Sequence, residues 1–232
     1  MRNFKPSRRE ALKSGLAVFT AGAISPEAFA APKIPGETRV LLLVGDYWHN
    51  GVAQESHWRG VLGPTGWRLL FAQSSQFVTP EAIAKADLFI SARYDGPDSL
   101  GFTPDGVVED RPAPAPWMTG AQESALVENV RNRGMGLLNM HCSIWNTERK
   151  QYMELLGVEK PIMHGPVQRV AIHDINQSHP ISKGIKNFEI DLDENFGSEL
   201  AAGKSTLLYK STGAQDKRTD NAAWCREDGK GR

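Results

Sequence analysis

From Arg39 onward the chain alternates short apolar runs with stretches of helical character, and this alternation restricts the fold more than any other feature. The first run, "RVLLLVG" from Arg39 to Gly45, is apolar without a break, the pattern of a strand buried on both faces. A helix is predicted over Val52 to Leu62, then the strand "WRLLFAQ", then a short helix with Thr79 as N-cap and Pro80 at N1. "DLFISAR" reads as the third strand. After a long loop rich in proline and glycine, Tyr94 to Trp117, a helix is predicted from Gly120 to Arg133 with Leu126, Val127 and Val130 on one face. "MGLLNM" is the fourth strand and Ile144 to Leu156 the next helix. The pattern predicts an α/β domain with an open, mostly parallel sheet flanked by helices. Beyond it, "PVQRVAIHD", "FEIDLDENF", "STLLYKS" and "NAAWCRE" read as extended segments, and "SHPISKGI" as a turn.

Residues 1–30 stand apart from this pattern. Ser7 to Lys13 carries a twin-arginine signature at Arg8 and Arg9, followed by the modest apolar run "SGLAVFTAGAI" and by Ala28-Phe29-Ala30 as a small-residue cleavage site. The plain alternative is a disordered basic tail. The apolar run is too short and too rich in Gly and Ala to span a membrane. The expectation is a signal peptide over 1–30 and one domain over 31–232, folded before export and working in the periplasm. The whole chain has equal numbers of acidic and basic residues, but the signal carries five Lys or Arg against two Glu, so the rest is slightly acidic. That balance offers no nucleic-acid footprint. With only Cys142 and Cys225 there is neither a disulfide scaffold nor a CxxC zinc framework, although the two thiols could pair.

In an open parallel sheet, ligands bind beyond the carboxyl ends of the strands. Three polar groups are predicted to converge there: "GDYWHN" after the first strand, His141 after the fourth, and Asp191, Asp193 and Glu194 after "FEI". Each has a structural alternative. His49 could cap a helix, and the acidic run could be a solvated turn. His141 could be a satisfied strand-end histidine, although an imidazole directly after a buried strand must find partners for both ring nitrogens. His164, before Gly165-Pro166, lies in a loop that should pass near the same edge. His57 reads as helix surface, and His173 and His179 as flanking a turn.

The junction "GMGLLNMHCSIWN" raises the question of a cysteine nucleophile. A nucleophile elbow sets its reactive residue on a tight strand-to-helix turn with small neighbours. Here no glycine flanks Cys142, and His141 occupies the elbow position.

The segments "VLLLVGDYWHN", "GMGLLNMHCSIW", "SHPISKGI", "DLDENFG" and "AAWCREDGKGR", in this order, resemble the trehalose-utilisation ThuA family over Arg39 to Arg232. The resemblance implies a class I glutamine amidotransferase-like fold with flavodoxin-like layering, without amidotransferase chemistry. His141 matches the histidine that replaces the amidotransferase cysteine, Glu194 the acidic member of an Asp-Glu-aromatic motif, and His49 a histidine after the first strand. Members of the family continue past the Gly-Lys-Gly-Arg turn with a further strand, so the domain is expected to be truncated at its C-terminus.

With His164 added from the loop reading, the expected catalytic residues are His141, Glu194 and His164. The expected ligands of a divalent metal are His49, His141 and Glu194, a donor set that suits zinc with an open position. Tyr47, Trp48, Trp145 and Asn146 are expected to contact substrate, with a core role as the alternative for the aromatics. The family implies a periplasmic carbohydrate-active protein acting on a glycoside or 3-keto-sugar. A non-catalytic sugar-binding module on the same fold and a Cys142-dependent hydrolase are the rivals.

Overall fold

A computed structural model describes residues 31–94, 116–144, 148–162 and 164–232. The expected signal peptide, most of the loop before Trp117, and the expected substrate contacts Trp145 and Asn146 lie outside the described residues. Four strands form a parallel sheet in the order β2-β1-β3-β4: β1 (Arg39–Val44), β2 (Arg68–Ala72), β3 (Leu88–Ala92) and β4 (Gly136–Asn139). All six residues of β1 are buried, which explains its unbroken apolar run. A parallel sheet needs crossovers, and helices supply them.

Helix α1 (Gly51–Leu62) covers one face, where Trp58 packs with Val40, Leu42, Val44, Phe71 and Ile90. Helices α2 (Pro80–Lys85), α3 (Gly120–Glu128) and α4 (Lys150–Leu156) cover the other, where Leu41 and Leu43 meet Ile83, Leu126 and Tyr152. The helix starts follow local chemistry. Thr79 accepts from Ala82 N at 3.2 Å with Pro80 at the first turn, and Thr119 and Gln122 close a capping box. Residues 129–133 extend α3 by one wider turn, and Gly134, at φ +88°, ends it.

A second layer follows the parallel sheet. Strands β6 (Val167–His173), β7 (Phe188–Glu194), β9 (Thr206–Gly213) and β10 (Thr219–Cys225) form an antiparallel sheet in the order β10-β9-β6-β7. β6 alternates in burial from Val167 to His173, because one face of it is packed and the other wet. Two short strands missed in the sequence, β5 (Val158–Ile162) and β8 (Gly197–Leu200), pair antiparallel beside it. Trp224 of β10 joins the layers by donating its indole N–H to the Leu156 carbonyl at the end of α4, at 2.7 Å.

The predicted helix from Ile144 is realised only from Lys150, after a 3-10 turn over His141–Ile144. Near the C-terminus, Asp228 and Gly231 bridge across a tight turn. Gly229 sits there at φ +62°, where a β-carbon would collide with the backbone of Arg131. The carbonyl of Arg232 accepts from Leu137 N of β4 at 2.8 Å. Among the described residues no helix is long and apolar enough to cross a membrane.

Candidate active site

Because β1, β3 and β4 are parallel, the loops after them open on one edge of the sheet. The first loop turns at Gly45, φ +74°, and is held by Gln54 of α1. Its side-chain oxygen accepts from Gly45 N at 2.7 Å while its amide donates to the Ala92 carbonyl at the end of β3 at 2.8 Å. Asp46 follows and is only 2% exposed. Its Oδ1 accepts from the backbone N–H groups of Trp48 and His49 at 2.8 and 2.9 Å, and its Oδ2 from Tyr94 N at 2.7 Å. Both oxygens also face His49 Nδ1, at 2.8 and 2.7 Å. The carboxylate therefore fixes a proton on Nδ1 and turns Nε2 towards the site.

Burial works to raise the pKa of Asp46, but the hydrogen bonds from His49 and the backbone outweigh it and hold the group below its ordinary value. His49 is shifted upward by that same hydrogen bond, against burial, with help from the charges of Asp46 and Glu194. Helix capping falls instead to Asn50, whose side chain accepts from Ala53 N at 3.0 Å.

His141 sits at φ +52°, one of three described non-glycine residues with positive φ. This left-handed turn directly after β4 is the elbow anticipated from the sequence, and strain at a non-glycine residue concentrates at functional sites. Ser143 clamps it. Its hydroxyl donates to the Ser91 carbonyl and accepts from Arg93 N, both at 3.0 Å, and Met140 N also donates to Ser91 O at 2.9 Å. The loops after β3 and β4 are thereby tied together. Burial lowers the pKa of His141, and the charge of His49 adds to that, against the opposing pull of Asp193 and Glu194. The imidazole is therefore neutral near pH 7, with a lone pair to offer. His49 and His141, ring centroids 5.4 Å apart, are pushed in opposite directions, an arrangement that divides acid from base.

The antiparallel sheet supplies the other half. Glu194 is the last residue of β7, and its Oε2 lies 3.9 Å from His141 Nε2 and its Oε1 3.3 Å from His164 Nδ1. His164 donates that Nδ1 proton to the Gly165 carbonyl at 2.8 Å. Phe196 lies against both imidazoles, 4.1 Å from the ring of His141 and 4.9 Å from that of His164. Buried Asn195 pins this turn, donating to Arg218 O and Asp220 Oδ2 at 2.9 Å and accepting from Ser211 Oγ at 2.6 Å.

Thus His49, His141, His164 and Glu194 come together. The acidic run does not converge as a whole, because it lies inside an antiparallel edge strand. Asp191, on its wet face, pairs with Arg169 at 3.5 Å. Trp48 is 71% exposed rather than core, and Tyr47 meets it edge-on at 4.9 Å. His57 is exposed on α1, as expected.

The cysteines do not pair: Cys142 Sγ is 3.9 Å from His49 Nε2, and Cys225 Sγ is 3.4 Å from His179 Nε2. Burial, with the charges of Asp46 and Glu194, drives the Cys142 thiol far above its ordinary range, so the free thiol is not a nucleophile at neutral pH. The donor atoms of His49, His141 and Cys142 lie within 4.8 Å of one another, so these three could hold a metal ion. Sequence reasoning missed Asp46, although the Asp-x-x-His spacing in a glycine-led loop is the local signal of an Asx turn that orients a histidine.

A family profile described as trehalose utilisation, ThuA, matches residues 104–232, more than half of the chain. The chain belongs to the ThuA family. ThuA-like proteins of known structure share its fold. One from Bacteroides uniformis ATCC 8492 superposes with a TM-score of 0.58 at 14% identity, over 86% of this chain and 81% of that one. Another, from Parabacteroides merdae ATCC 43184, gives 0.56 at 16%, over 83% and 73%. No curated protein matches the sequence. The ThuA assignment makes this a protein related to trehalose utilisation and fits the α/β layering described above.

Proposed function

We propose that this ThuA protein is a periplasmic enzyme acting on a glycoside or keto-sugar, with His141, Glu194 and His164 as its acid–base groups. The observation that carries the reading is the meeting of His141 and His164 beside the ring of Phe196, with Glu194 between them and His49 against His141, at the carboxyl edge of the parallel sheet. Neutral His141 can take a proton from a sugar hydroxyl, or from the carbon beside a keto group, and return it on the other side of the reaction. Glu194, between His141 and His164, stabilises positive charge that develops on either ring. The faces of Phe196 and exposed Trp48 suit the apolar face of a sugar ring.

The donor set also fits a divalent cation. His49 has its Nδ1 taken by a buried carboxylate, which leaves Nε2 for a metal, and His141 is neutral. Such a cation would act as a Lewis acid on a keto oxygen.

Turnover on a panel of glucosides and 3-keto-glucosides tests the reading, with His141→Ala as control. The wild type is expected to turn over at least one member, and the variant to lose about a hundred- to ten-thousandfold in kcat. Sugar binding by the wild type without turnover would make this a binding module instead. Location is checked separately. Periplasmic protein should begin at Ala31 by N-terminal sequencing, and the Arg8→Lys, Arg9→Lys double variant should stay inside as precursor. A mature protein that still begins at Met1 would defeat the export reading.

A further inference from the structure

We propose that Cys142 is a metal ligand, completing with His49 and His141 a two-nitrogen, one-sulfur site that selects zinc-like cations over magnesium or calcium. This rests on the reading that the pocket is the working site, and it deepens that reading by dividing the pocket into two halves with different jobs.

The first support is distance. Zinc takes imidazole nitrogen at ~2.0–2.1 Å and thiolate sulfur at ~2.3 Å, so a tetrahedral ion holds those two atoms about 3.6 Å apart. His49 Nε2 and Cys142 Sγ stand 3.9 Å apart already, and the third donor, from His141, is within 4.8 Å of both. The His49–Cys142 pair needs only a few tenths of an ångström to reach that spacing, and a side-chain rotation of His141 would close the set.

The second is orientation. Asp46 grips His49 Nδ1 with both oxygens from a position 2% exposed and is itself held by three backbone N–H groups. A buried carboxylate behind a histidine is the usual outer partner of a metal-bound imidazole.

The third is the environment of the sulfur. Cys142 is 5% exposed and sits one residue past the left-handed elbow, beside His49, so its place is that of a ligand rather than of an open nucleophile. When a divalent ion binds, the sulfur–metal bond forms as the thiol proton passes to solvent, and the thiolate neutralises one of the two positive charges.

With its lone pair on the metal, His141 no longer serves as a base, so proton transfer falls to Glu194 and His164, which form the other half. Glu194 Oε1 lies 3.3 Å from His164 Nδ1, closer than the 3.9 Å between its Oε2 and His141 Nε2. Thiolate and imidazole donors suit zinc, cobalt and copper, whereas magnesium and calcium need a shell of oxygens. A carboxylate ligand in place of the thiolate would weaken that preference.

The test uses the full mature chain stripped with a chelator and reloaded with zinc, cobalt(II) or magnesium alone, with metal content read by elemental analysis after desalting. One equivalent of zinc or cobalt per chain is expected and no retained magnesium. The cobalt form should show thiolate-to-cobalt charge-transfer absorption in the near ultraviolet. Cys142→Ser and Cys142→Ala, each checked for an unchanged metal-free thermal midpoint, should lose that absorption and bind zinc more than about tenfold more weakly. Glu194→Gln should keep both stoichiometry and absorption. Cobalt binding without the charge-transfer band, or wild-type zinc affinity in both cysteine variants, overturns the assignment. Loss of metal in Glu194→Gln would put the carboxylate in the coordination shell instead. A chain that binds no metal yet turns over a sugar refutes the ligand assignment and leaves the enzymatic reading standing; a zinc-loaded chain without turnover does the reverse.

Discussion

Glu194→Gln is expected to lower kcat by about a hundred- to ten-thousandfold while leaving the fold unchanged. The replacement keeps the shape of the side chain and removes its charge. Its backbone anchor, Glu194 N to Asp193 Oδ1 at 2.8 Å, does not depend on that charge. What disappears is the acceptor facing His164 at 3.3 Å and the anion near His141. If the two imidazoles and the carboxylate act as one unit, Glu194→Gln combined with His164→Ala should cost little more than the worse single change. Steady-state kinetics on the best substrate of the sugar panel, with circular dichroism as a check on folding, reads both effects. Wild-type kcat in the single variant would remove this half of the pocket from the chemistry.

Asp46→Ala is expected to cost about 3–5 kcal/mol of stability, the scale for breaking a buried charged pair from one side. The reason is the number of donors left behind. The N–H groups of Trp48, His49 and Tyr94 and the His49 ring all point at a carboxylate that would no longer exist, in a place water reaches poorly. Asp46→Asn keeps the shape and should cost less. It sets an amide N–H against one of those donors, however, and loosens the grip on the His49 tautomer, so metal affinity should fall by about 10- to 100-fold. Denaturant melts of the metal-free proteins and zinc titrations separate the two effects. An Asp46→Ala protein as stable as wild type would mean that the loop rearranges to satisfy its own backbone.

The legible parts of this molecule are those that one segment dictates alone. The unbroken apolar run of β1, the Thr79-Pro80 helix start and the elbow at His141 are local facts, and the structure has all three. The second sheet was harder to read, because partial alternation in "PVQRVAIHD" and "FEIDLDENF" marks a half-wet strand without saying which strand pairs with which. The sequence pattern alone therefore puts the acidic run at the end of a parallel strand. It lies within an antiparallel edge, with one member, Glu194, at the site and another, Asp191, beside Arg169. The lack of flanking glycines speaks against Cys142 as a nucleophile, and its burial agrees. Its nearness to His49, 93 residues earlier in the chain, depends on two parallel strands separated by a third, which no local pattern reveals.

The pocket draws His49 and His141 from loops of the parallel sheet, and Glu194, His164 and Phe196 from the segments around the antiparallel one. Any ligand that touches both groups binds only the state in which the two layers are docked, so mass action makes it a clamp on the whole tertiary structure. At a hundred times its Kd such a ligand adds about 2.7 kcal/mol to global stability. A cation confined to His49, His141 and Cys142 would tighten the loops of one layer and leave the seam between the sheets as it was. The rise in unfolding temperature produced by a sugar, set against that produced by zinc, therefore reports how far across the seam each one reaches.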